Sequence, residues 1–105
     1  MALLDFLKRA PVDEFAEQLA LDLAKRYEPA LEISATKKRN PQRLAKAFDS
    51  TFNRAVQFQQ KHKLGIYGKA RLSSAFKWKL KELGYPDDFV ELATSAMTKF
   101  LGNQR

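Results

Sequence analysis

Apolar residues in this chain recur at three- and four-residue intervals, the spacing that gathers side chains on one face of an α-helix. Val12, Phe15, Ala16, Leu19, Ala20, Leu23 and Tyr27 share one such face. Leu44, Phe48, Phe52, Ala55 and Phe58 share a second, with Ala47 and Val56 alongside. Leu72, Phe76, Leu80 and Leu83 form a third, and Phe89, Leu92, Ala93, Ala96, Met97, Phe100 and Leu101 a fourth. Alternation is confined to Leu31 and Ile33 among Glu32 and Ser34, which suits a short extended segment but has no second strand to pair with. The pattern predicts an all-α domain of four main helices plus a short N-terminal helix, packed as a bundle or orthogonal array.

Stop signals place the boundaries. Ala2–Arg9 forms the short helix, with Leu3, Phe6, Leu7 and Ala10 on one side, and Pro11 ends it. Val12–Tyr27 follows, with Asp13, Glu14 and Glu17 near its positive end and Lys25 and Arg26 near its negative end. Leu21 falls on the opposite side from the stripe. Asn40 caps and Pro41 opens a long helix to about Lys63, which Gly65 stops. Gly68 to Leu83 is the next, ended by Gly84-Tyr85-Pro86. Asp87 or Asp88 caps the last, which runs to Leu101.

A chain of 105 residues has room for one modest core, so residues 1–105 read as a single domain. It has no cysteine, which removes disulfides, thiolate metal sites and cysteine nucleophiles. His62, the one histidine, has no matching ligand or base, so neither a metal nor a cofactor is expected. Asp87 and Asp88 are adjacent and do not face each other on a helix. Ser73, Ser74 and Thr51 lack a base nearby in sequence, so no enzymatic activity is expected. No apolar run approaches the ~20 residues of a membrane span. Met1–Leu7 is too short for a secretory signal core, which leaves the cytoplasm as the expected location.

The net charge of +7 is unevenly spread. The first 35 residues hold four cations and seven anions, and residues 36–85 hold thirteen cations and two anions, a net +11. The last 20 hold two cations and three anions. Such asymmetry suggests an acidic partner, whether nucleic acid, an anionic membrane surface or an acidic protein, unless it simply keeps a basic domain in solution.

Two basic clusters stand out. Lys37, Lys38, Arg39 and Arg43 lie in a loop that runs into a helix start, where helix amides add to phosphate binding. At 100° per residue, Arg71, Ser74, Lys77, Trp78 and Lys81 fall on the side of their helix away from Leu72, Phe76 and Leu80. Trp78 is about 155° from the middle of the apolar stripe. It is either open to solvent among cations, as at binding sites, or packed beneath the N-terminal helix or the Leu31–Ile33 segment.

The loop Leu64-Gly65-Ile66-Tyr67-Gly68 passes no motif test. A Walker A loop needs four residues between its glycines and Ser or Thr after the lysine, whereas two residues and Lys69-Ala70 stand here. A KH clamp needs a sheet. Leu64, Gly65, Ile66, Lys69 and Ala70 resemble in type a helix-hairpin-helix element over some twenty residues, but its close Gly-x-Gly is missing and no residue is carried over.

The leading expectation is a non-catalytic nucleic-acid-binding module, for DNA or RNA. Lys37, Lys38, Arg39, Arg43, Arg71, Lys77 and Lys81 would hold phosphates, with Ser74 and Trp78 on the same face as the last three. The rival is a protein-interaction module or homodimer with Trp78, Leu21 and Tyr85 as anchors and an acidic protein as partner.

Overall fold

The computed structural model describes residues 2–30 and 41–102, with side chains from residue 11 onward. Four helices are seen among them: α1 (Ala2–Arg26), α2 (Pro41–His62), α3 (Ile66–Glu82) and α4 (Asp87–Gly102). No strand occurs among the described residues. The protein is all-α. The predicted extended segment around Leu31–Ile33 and the Asn40 cap lie outside the described residues.

Two boundaries and one stop residue differ from expectation. Helix α1 continues through Pro11, so the short N-terminal helix and its successor are one. The fixed φ of proline is itself helical. What the ring costs is one N–H and some crowding on the preceding turn, and a helix can carry both. Helix α2 does not end on Gly65. Lys63 takes the left-handed conformation (φ 53°). The Leu64 N–H then reaches back to the Gln59 carbonyl at 3.1 Å, a helix-closing bond. Gly65 has φ −87° and merely precedes α3. Finally, α3 opens at Ile66 rather than Gly68. A Cβ at Gly68 would meet the Leu64 side chain at 3.0–3.1 Å, so the glycine admits a close approach of the turn.

The end of α3 follows the sequence signal. Gly84 is left-handed (φ 100°). The Gly84 N–H donates to Lys81 O at 3.1 Å and the Tyr85 N–H to Leu80 O at 3.3 Å, which satisfies the last carbonyls. Pro86 O accepts from Val90 N, and the Asp88 carboxylate accepts from the Phe89 N–H at 2.8 Å, so α4 is capped from its own first turn.

Pairs of touching residues give the packing order. Asp13, midway along α1, meets Arg71 in the first half of α3, and Tyr27, just past the end of α1, meets Tyr85, just past the end of α3, so α1 and α3 run the same way. Phe15 stacks on Phe58, and Thr51 donates to Asp22, so α2 runs against α1. Phe48 meets Phe89, and the Gln59 amide donates to the Leu101 carbonyl, so α2 and α4 are parallel. Helices α2 and α3 are joined by a short turn, and they meet across the centre where Phe52 sets its ring edge to Phe76.

Leu19, Leu23, Leu44, Phe52, Leu72, Phe76, Leu80, Phe89, Ala93 and Met97 are buried, with Phe15, Phe48, Phe58, Leu83 and Phe100 packed around them. Leu92, assigned to the α4 stripe, is 38% exposed. It lies about 130° from the middle of the buried arc formed by Phe89, Val90, Ala93, Met97 and Leu101, and Val90 is buried instead. Tyr85 is not a surface anchor. It is buried, its ring stacks on Phe89, and its hydroxyl donates to the Tyr27 carbonyl.

Candidate nucleic-acid interface

Helix α3 buries Leu72, Phe76 and Leu80 and rests between α1 and α4. The arc of α3 away from that stripe faces solvent. Trp78 stands on it with 64% of its surface exposed. A tryptophan left this open keeps apolar area in water that packing under α1 would have hidden. The Lys81 ammonium lies 5.3 Å from the centroid of its ring, a cation–π placement. Ser74 and Arg71 precede it on the same side, both exposed. Asp13, Arg71, Ser74, Ala75 and Trp78 line one cleft of about 260 Å³ between α1 and α3.

Two of the predicted phosphate contacts already hold carboxylates. The Arg71 Nε and Nη2 donate to Asp13 at 2.9 and 2.7 Å, a two-pronged pair. The hydrogen bonds from Arg71 to Asp13, and then the Asp13 charge, raise the guanidinium further above its ordinary range. Lys77 Nζ sits 2.9 Å from Glu91. That hydrogen bond and the Lys77 charge hold the Glu91 carboxyl below the usual glutamate value. Lys79 bridges Glu17 at 3.1 Å and Glu82 at 3.5 Å, and its ammonium is held above the usual lysine range, chiefly by the Glu17 hydrogen bond. Part of the acidic partner that the charge asymmetry called for is therefore the chain's own α1. These pairs stand in solvent, where water and salt screen them, so a phosphate can exchange with them.

The described members of the predicted site do not line one cleft. Arg43 lies on α2 beside a separate cleft of about 360 Å³, which Arg26, Lys46, Ala47 and Ser50 also line. Lys37, Lys38 and Arg39 lie outside the described residues. Arg71, Ser74, Trp78 and Lys81 remain together on α3, and Lys77 is turned toward Glu91 on α4.

One residue of this face was missed. Tyr67 is 93% exposed. Eleven residues before Trp78, it falls about 20° from it around the helix. The same wheel would have found it had the helix start been set at Ile66 instead of Gly68.

Among the described residues no cluster of three or more His, Cys, Asp or Glu could hold a metal ion. No described helix is long and apolar enough to cross a membrane. Comparison with known proteins finds no matching family model, no matching curated protein and no matching solved structure.

Proposed function

We propose that this protein is a non-catalytic nucleic-acid-binding domain that grips phosphates with its basic side chains and stacks a base on Trp78. The observation that carries the proposal is Trp78 itself, open to solvent with the Lys81 ammonium above its ring and Ser74 and Arg71 beside it. An indole gives a base a flat apolar partner, and the neighbouring cations neutralise backbone charge. Arg43, Arg26 and Lys46 supply a second basic locus at the other side of α1. The rival protein-interaction reading is the weaker one, because Tyr85, one of its three anchors, is buried.

Fluorescence polarisation with a labelled oligonucleotide tests this. The Trp78→Ala, Lys81→Glu double variant is expected to lose at least roughly tenfold in affinity at fixed salt. The slope of log affinity against log salt should shrink by about one for the Lys81 contact. Unchanged affinity would overturn the proposal. Asp13→Asn removes the carboxylate that occupies Arg71, and affinity should rise roughly threefold, in line with the small worth of an exposed pair. Asp49→Asn makes the same charge change on α2. If Asp49→Asn gives an equal rise, Arg71 is not a contact.

A further inference from the structure

The exposed aromatics of α3 bear on which form of nucleic acid the proposed face would take. Tyr67 and Trp78 lie on one solvent-facing stripe, three turns or about 16 Å apart along the helix. Arg71 and Ser74 fall between them, and Lys81 lies one turn beyond Trp78. Tyr67 at 93% and Trp78 at 64% are two of the four large hydrophobic residues exposed among the described residues, and Ile66, at 88%, is the neighbour of Tyr67. So much aromatic area on a charged helix face is costly in water, although Trp78 also borders α1 at Asp13 and Glu17.

In a duplex each base is covered on both faces by its neighbours. A helix that reads duplex DNA does so with polar side chains directed at base edges in the major groove, and with cations on phosphates. An exposed indole or phenol ring has no base face to meet there. In a single strand the base faces are available, and stacking on aromatic side chains tolerates any sequence. The order along α3 is ring, guanidinium, hydroxyl, ring, ammonium. That order alternates platforms for bases with donors for phosphate and sugar, as the strand itself alternates them.

Resting on the nucleic-acid reading above, we infer that this face takes a single strand, with Tyr67 and Trp78 as two separate base platforms and Arg71, Ser74 and Lys81 on the backbone. Duplex is the disfavoured form.

Trp78 is the chain's one tryptophan, so its emission reports on this face alone. The full chain is titrated with an oligothymidylate of about 12 nucleotides, within the usual range of single-strand site sizes. A duplex of the same length and inorganic polyphosphate are titrated at the same salt. The strand should quench Trp78 and bind at least roughly tenfold tighter than the duplex, by the worth of one stacked base. Polyphosphate carries charge without bases and should bind without quenching. Tyr67→Ala should weaken the strand about tenfold and leave the duplex and polyphosphate within about twofold, and Tyr67→Phe should restore the strand. Both residues project into solvent, so circular dichroism should show the fold unchanged. Duplex binding as tight as the strand, or an unaltered Tyr67→Ala variant, overturns the inference and leaves the nucleic-acid reading standing. If no nucleic acid binds at all, both fall.

Discussion

Phe89→Ala should destabilise the protein by about 3–5 kcal/mol, a large part of the ~5–15 kcal/mol that holds a domain of this kind together. Phe89 is fully buried at the first turn of α4. Its ring stacks on Tyr85 at 4.6 Å and Tyr27 at 5.5 Å, and it meets Phe48 at 6.3 Å. The end of α1, helix α2 and the α3–α4 turn therefore close on one side chain of α4. Removing it leaves a cavity walled by rings that cannot collapse without turning away from one another. The Tyr85 hydroxyl would also lose the support that aims it at the Tyr27 carbonyl. Urea unfolding followed by circular dichroism measures the effect. The midpoint should fall steeply, with little change in slope. A loss below about 1.5 kcal/mol would mean that this aromatic cluster is not the hub of the core.

Asp22→Ala should cost about 2 kcal/mol at neutral pH, and the cost should shrink in acid. Asp22 on α1 accepts from the Thr51 hydroxyl at 2.8 Å and from the guanidinium groups of Arg26 at 3.0 Å and Arg54 at 3.1 Å. Thr51 is fully buried, so its hydroxyl has no water to turn to once the carboxylate is gone. The two arginines are about half exposed and contribute less. Burial pushes the Asp22 carboxyl up, but the hydrogen bonds from Arg26 and Thr51 and the charges of Arg26 and Arg54 outweigh it and hold the group below its ordinary value. The folded state then binds the Asp22 proton less readily than the unfolded chain does. Its contribution is complete above the unfolded aspartate value of ~3.9 and is lost as pH falls through the lower folded value. Unfolding curves of wild type and variant at neutral pH and near pH 3 should therefore converge toward the acid end. A gap that stays constant would place the stabilisation in packing rather than in the charge.

Much of the fold was legible because helical periodicity is a local property. Leu72, Phe76 and Leu80 announce their shared face within nine residues, and all three are buried. Gly84 ends α3 as its position before Pro86 suggests, because a left-handed residue there costs glycine nothing. The misreadings arise where local rules compete with wider geometry. Lys63 takes the left-handed turn that Gly65 would have taken more cheaply. Tyr85 looked like a surface anchor beside a turn, since nothing local shows that α1 ends opposite it. Leu92 was counted in its stripe because it is apolar, although its angle put it at the margin.

The candidate site divides in the same way. The polar arc of α3 could be drawn from the sequence, with Arg71, Ser74, Trp78 and Lys81 in place. The partners of its cations could not, since Asp13 and Arg71 are 58 residues apart and meet only because α1 packs beside α3.

The sequence by itself determined the helices, their buried faces and the concentration of cations in the middle of the chain. Each of these depends on residues within a few turns of one another. Only the tertiary structure decided which sides of α3 acquire a neighbour. Two of its flanks are covered, by α1 and α4, and the acids those helices bring occupy Arg71, Lys77 and Lys79. The outer side has no helix packed over it among the described residues; Tyr67 stands there in solvent and Trp78, at the edge of the α1–α3 cleft, is left mostly exposed, because burial depends on which segments meet in space.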